Sequence, residues 1–244
     1  MTAVEIQHLT KRFAASGPVV LDDINLSIEH GEFVCLIGAS GCGKSTLLNI
    51  IAGLEAPTMG TVAVPSGRAA VMFQESALYP WLSAARNVEL ALRLAHVPRE
   101  RRRARALELL DLVNLADAAH KRPHELSGGM RQRVALARAL AQDRQVLLMD
   151  EPFAALDAIT RDLLHEELER VWSETGRTIV FVTHNVREAV RLGQRVVLLS
   201  SRPGRVAAQW NVEVSGERRI ESPDVGRLSI EITEQLRKEI RRAA

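Results

Sequence analysis

The run Gly38-Ala39-Ser40-Gly41-Cys42-Gly43-Lys44-Ser45 constrains this chain more than any other stretch, because it matches G-x-x-x-x-G-K-[ST] in full. An apolar, β-branched run at residues 33–37 precedes it and reads as a strand. A helical pattern at 44–52 follows, with Leu47, Leu48 and Ile51 on one face. Strand, glycine loop and helix in that order make a cradle for phosphate. Several backbone N–H groups must point inward, so side chains are absent where the chain wraps closely. The helix N-terminus adds the positive end of its dipole. Gly38, Ser40, Gly41, Cys42, Gly43 and Thr46 are expected to line a nucleotide, with Lys44 as a point charge on the β- and γ-phosphates. Ser45 places a hydroxyl on Mg²⁺.

A second feature completes the chemistry. The apolar run 146–149 ends in Asp150-Glu151. A near-continuous apolar strand reads as buried on both faces. The carboxylate at its end, Asp150, can hold a magnesium shell, and Glu151 beside it can accept a proton from an attacking water. Acids at strand ends are common in α/β folds, so the pair gains its meaning from the glycine loop.

Around these motifs the pattern alternates between strand and helix, which implies an α/β fold with a parallel sheet. Strands are expected at 19–28, 61–64, 69–73, 178–183 and 195–199, and helices at 84–95, 99–113, 130–141, 158–174 and from 186. Leu228, Ile232, Leu236 and Ile240 form one stripe of an expected terminal helix.

The 244 residues, 46% of them apolar, suffice for one domain with a subdomain set into it. Basic and acidic residues, 32 and 30, nearly cancel, which argues against a nucleic-acid partner. The basic run at 99–105 is interrupted by Glu100 and Ala104 and reads as a solvated helix face. Two cysteines, Cys35 and Cys42, are too few for a disulfide framework and suit a reducing, cytosolic setting. The sequence enters alternating pattern at Val4 with no basic-then-apolar leader, and no apolar run approaches the roughly 20 residues that span a bilayer. Action at a membrane would come from the cytoplasmic face, through a partner.

Leu126-Ser127-Gly128-Gly129-Met130 opens the helix expected at 130–141 and is continued by Arg131-Gln132-Arg133. Here the chain resembles the ABC ATPase family, whose signature is L-S-G-G-Q. The resemblance covers about residues 2–204. It implies a P-loop NTPase core with an antiparallel β subdomain and an inserted helical subdomain. The core would take 1–82 and 143–204, the helical subdomain 83–142, and a C-terminal strand and helix 205–244. It further implies that Ser127, Gly128 and Gly129 close on the γ-phosphate of ATP held by a second subunit, so that a head-to-tail homodimer carries two ATPs at its interface. On the same resemblance Gln74 senses magnesium and the attacking water, Asp157 in Ala155-Leu156-Asp157 lies across the dimer, His184 contacts the γ-phosphate, and Phe13 stacks on adenine.

Within the family, the chain is most similar to ATP-binding subunits of importers for nitrate, sulfonates and taurine. Phe73-Gln74 leading to Leu78-Tyr79-Pro80-Trp81 carries that likeness, with Met149-Asp150-Glu151-Pro152-Phe153 and Ser201-Arg202-Pro203-Gly204-Arg205. Such subunits imply integral membrane permease partners and an extracytoplasmic solute-binding protein. Met130 replaces the signature Gln, Ala154 a usual Gly, and Asn185 a usual Asp, and the segment 65–70 looks short for the antiparallel subdomain. None of these removes a catalytic group.

Other classes fit less well. DNA-repair relatives need a long coiled-coil insertion between Gly43 and Ser127, which the interval is too short to hold. Translation-type relatives carry two cassettes, and one is visible. A binding module without turnover would not need both Glu151 and His184. An ATPase subunit of an exporter or lipid transporter would share the same core.

Overall fold

The computed structural model describes residues 1–14, 16–213 and 222–242. The chain divides into two compact units, Met1–Ala69 with Thr178–Ala244, and Ala70–Arg177.

The first unit begins with β1 (Thr2–Arg12) and β2 (Val19–Glu29), followed by β3 (Phe33–Gly38), α1 (Lys44–Ile51) and β4 (Met59–Ala63). β1 lies between β2 and β4, and both pairings are antiparallel. Along β1 and β2, Ile6, Leu9, Ile24 and Ile28 are buried while alternate residues face water, the pattern of a sheet covered on one side. α1 buries Leu47, Leu48 and Ile51 as its spacing predicts, and Ile50 with them.

The second unit holds β5 (Ala70–Met72), α2 (Ala84–Leu94), α3 (Arg99–Leu112), two 3₁₀ turns at Ala116–Ala118 and Pro123–Glu125, α4 (Gly128–Leu140), β6 (Val146–Asp150) and α5 (Ala158–Thr175). β5 and β6 run parallel, with Met72 opposite Met149. α2, α3 and α4 pack on one another as the inserted helical layer. Most arginines of the run 99–105 are exposed, and Arg103 pairs with Glu89 across to α2 at 3.0 Å. A polar tie runs through the buried Glu167 of α5. It accepts from Asn114 at 2.8 Å and lies 2.9 Å from Arg133 Nε on α4. Burial pushes the Glu167 carboxyl up, and Arg133 and Asn114 oppose that shift.

The chain then returns to the first unit with β7 (Thr178–Val182), α6 (Val186–Leu192), β8 (Arg195–Leu199), β9 (Val206–Asn211) and α7 (Pro223–Arg242). β3 lies between β7 and β8, parallel to both, and β9 adds an antiparallel edge. Every residue of β3 and β7 is buried, as their continuous apolar sequence requires.

The terminal helix departs from expectation. Its buried residues are Val225, Ser229, Ile232 and Glu239, while Ile240 is 45% exposed. Residues four apart overshoot a full turn by about 40°, so the stripe from Leu228 to Ile240 drifts about 120° around the helix. The buried face instead runs in steps of four, three and seven and takes in one serine and one glutamate, while Leu228 and Leu236 of the expected stripe are half-buried.

Candidate functional site

In the first unit, β3 delivers the chain into the glycine loop at the C-terminal edge of a parallel sheet, where α/β folds bind ligands. α1 starts at Lys44 with Gly43 as its N-cap and no side-chain cap, so its first-turn N–H groups are left to an anion. Gly43 has φ of 106°, and a Cβ there would fall 2.6 Å from Leu21 Cδ2. A side chain is therefore excluded by both backbone conformation and the strand behind it. Lys44 is buried, and its Nζ donates to Gly38 O at 2.8 Å and Ala39 O at 3.0 Å. The ammonium is thus held over the loop it serves. Ser45 is exposed and Thr46 half-buried on the same turn. Cys42 is buried, and burial pushes its thiol up, so it stays protonated near neutral pH.

His184 follows β7, the neighbour of β3, and Thr183 N donates to Leu36 O at 3.2 Å. This puts His184 and the glycine loop on one sheet edge. The residues flanking the exposed imidazole are fixed: Thr183 Oγ1 accepts from Asn185 N at 3.0 Å and bonds the buried Glu188. Asn185 caps α6 by accepting from Arg187 N at 3.0 Å and Glu188 N at 3.3 Å. The departure from a usual Asp therefore keeps the capping oxygen. Phe13 is 64% exposed just beyond β1, with Lys11 Nζ 5.0 Å from its ring centroid. It is not a core residue.

In the second unit, Asp150 ends β6 and Glu151 follows it with φ of 45°. A left-handed backbone costs a non-glycine residue about 1 kcal/mol, and such strain collects at functional sites. Because Met72 pairs with Met149, Gln74 emerges beside Asp150 and Glu151. Ser127 caps α4 by accepting from Met130 N at 3.2 Å. A Cβ on Gly129 would lie 2.5 Å from Thr160 Cγ2, and one on Gly128 would lie 3.2 Å from Leu156 Cδ2. These glycines let the start of α5 close on the start of α4, so Asp157 and Ser127–Gly129 share one edge. Asp157 caps α5 through Thr160 N at 3.0 Å, and that bond holds its carboxyl below the usual range.

The sequence marked Gln132 only as part of the signature's continuation, and it did not point to Arg138 or Asn87. Gln132 Nε2 donates to Gln74 O at 2.8 Å, and Arg138 donates to Ser76 O and Ala77 O, each at 2.7 Å. Asn87, fully buried on α2, accepts from Tyr79 N at 2.8 Å. A signal existed for Arg138, a cation inside the otherwise apolar run 134–141. Beyond this clasp Tyr79 and Trp81 are 41% and 66% exposed, with ring centroids 5.5 Å apart.

Comparison with known proteins shows the family. The family model described as ABC transporter matches residues 21–154. An uncharacterized ABC transporter ATP-binding protein of Methanocaldococcus jannaschii is 43% identical, covering 96% of this chain and 89% of its own length. The nitrate import ATP-binding protein NrtD of Synechocystis sp. is 46% identical over 88% of this chain and 84% of its own length. The taurine import ATP-binding protein TauB of Rhizobium johnstonii is 46% identical, over 86% and 84%. Among solved structures, a dimeric post-hydrolysis ATP-binding cassette bound to ADP and Pi superposes with a TM-score of 0.74 at 35% identity, covering 87% of this chain and all of that one. The family match and these relatives show that the chain belongs to the ABC transporter family and is an ATPase.

Proposed function

We propose that this chain is the ATP-hydrolysing subunit of an importer for a small solute, in the class of nitrate, sulfonates or taurine, and that it works at the cytoplasmic face of the membrane. The glycine loop takes the phosphates, with Lys44 on the β- and γ-phosphates and Phe13 against adenine. Ser45, Gln74 and Asp150 would hold Mg²⁺ through their side-chain oxygens. Magnesium is commonly held by few protein oxygens plus substrate phosphates, and the hydroxyl, amide and carboxylate here are all hard donors suited to it. Bound there, the ion would neutralise charge on the β- and γ-phosphates. Glu151 accepts the proton of the attacking water, the new bond forms at the γ-phosphorus, and the β–γ bridging bond breaks to give ADP and phosphate. His184 orients the γ-phosphate. Ser127, Gly128 and Gly129 close on the γ-phosphate bound to a second copy, with Asp157 at the same junction. Two ATPs then hold two subunits together.

No described helix is long and apolar enough to cross a membrane. Permease subunits on other chains would provide the passage, and a solute-binding protein would provide the cargo. The observation that carries the coupling is the exposed Tyr79–Trp81 pair on the loop that begins at Gln74. Apolar groups of that size left on a loop mark a docking surface. A short helix of the permease seated there would move with Gln74 as the subunits close.

The test is purification of the tagged chain with its membrane partners, followed by reconstitution in vesicles. ATPase activity should rise with nitrate, taurine or an alkanesulfonate together with the co-purifying binding protein. Stimulation confined to cargo on the cytoplasmic side would overturn the import direction.

A further inference from the structure

We propose that the turn at residues 200–205, outside the ATPase motifs, is a positioning element for the phosphate loop, and that Arg202 sets ATP affinity by fixing the Gly41 carbonyl. The inference rests on the nucleotide reading of that loop. Arg202 Nε donates to Gly41 O at 3.0 Å, at a residue whose φ is 72°. Cys42 N, on the other side of the same peptide bond, donates to Ala39 O at 3.3 Å. A peptide unit is planar, so pinning its carbonyl and its N–H fixes its whole orientation. That orientation sets where the next N–H groups, of Gly43 and Lys44, emerge. Arg202 also brings a positive charge to the rim of a site built for polyphosphate.

The turn carrying Arg202 is anchored without help from the loop. Ser200 Oγ donates to Pro203 O at 2.8 Å and accepts from Arg205 N at 2.9 Å. Gly204 N donates to Val20 O, and Asp22 N donates to Gly204 O, both at 2.9 Å, which ties the turn to β2. Arg205 Nε reaches Asp22 Oδ2 at 3.0 Å on that strand. A Cβ on Gly204 would fall 2.2 Å from Cys42 O, so the turn supports the loop from behind as closely as backbone permits. The Ser-Arg-Pro-Gly-Arg sequence therefore has a use: one glycine to approach, one arginine to hold the loop and one to hold the strand.

The experiment measures KM and kcat for ATP, and the melting temperature with and without Mg-ATP, in the full chain and four variants. Arg202→Ala should raise KM about tenfold, as expected for loss of a charged hydrogen bond, with kcat within about twofold and an unchanged melting temperature without nucleotide. Arg202→Lys should recover part of the affinity. Arg205→Ala loosens the same turn without touching the loop, and should raise KM by less than about threefold. A wild-type KM in Arg202→Ala, or equal increases in Arg202→Ala and Arg205→Ala, would overturn the proposal. Lys44→Ala separates the two readings. If it leaves stabilisation by Mg-ATP intact, the nucleotide assignment of the loop fails. If it abolishes that stabilisation while Arg202→Ala binds normally, only the role of Arg202 fails.

Discussion

The phosphate loop and the loop from Gln74 to Tyr79 are built in opposite ways. The first is held mostly from within its own motif, by Lys44 on the carbonyls of Gly38 and Ala39 and by Leu47 N on Gly43 O at 2.8 Å, with Arg202 reaching in from afar to Gly41 O at 3.0 Å. The second is held by side chains of helices: Gln132 and Arg138 of the distant α4 donate to its carbonyls, and Asn87 of the nearby α2 accepts from Tyr79 N and donates to Tyr79 O at 3.3 Å. Burial pulls the Arg138 guanidinium down from its ordinary range, and two carbonyls stabilise the charge it keeps. A loop specified by its own composition keeps one shape. A loop held by a helix follows that helix when it moves. α4 is capped by the signature Ser127, so on the proposed function the difference suits the first loop to gripping ATP and the second to moving with α4.

Four experiments, with six substitutions between them, probe this contrast. Lys44→Ala strikes the phosphate loop and should abolish detectable ATPase activity, with the thermal stabilisation by Mg-ATP shrinking as well. Activity near wild type would mean that the loop is not the phosphate site. Glu151→Gln leaves both loops in place and removes the base. Turnover should fall by roughly 10²–10⁴ while ATP binding persists, and the variant with ATP should run as a dimer in light scattering. Adding Ser127→Arg should prevent that dimer, and a dimer indifferent to Ser127 would point to another interface. Arg138→Ala should release the carbonyls of Ser76 and Ala77. The expected loss is about tenfold in cargo-stimulated ATPase activity of the assembled transporter, with the isolated subunit within about threefold of wild type. Equal losses in both would make Arg138 a stability residue and erase the contrast. Tyr79→Ser with Trp81→Ser should have the smallest effect on the isolated subunit, whose ATP affinity should not change. Co-purification with the permease should weaken, and normal assembly would place the docking surface elsewhere.

What the sequence made legible follows the same division. Gly43 had to be glycine for reasons local to it, so the phosphate loop was readable, as was Asp150-Glu151 at the end of a strand whose burial its apolar run announces. Ser127 was readable as a helix start, where it caps α4, and its part in a second subunit's site is implied by the family resemblance alone. The clasp on Ser76 and Ala77 was not, because its donor lies more than sixty residues away and nothing in either segment names the other. The face of α7 was misread because four-residue spacing resembles a straight stripe in sequence but winds around a real helix. β9 pairs antiparallel with β8 at the sheet edge, a direction that no local pattern encodes.

The left-handed backbone at Glu151 has a bearing on how this chain would respond to selection. Asparagine tolerates that conformation better than glutamate, so at this position relief of backbone strain and retention of the carboxylate proposed as the base pull against each other. A library screened for heat resistance alone would be drawn toward Glu151→Asn and lose turnover in the gain. Thermostabilising campaigns on this subunit should therefore carry an activity screen from the first round.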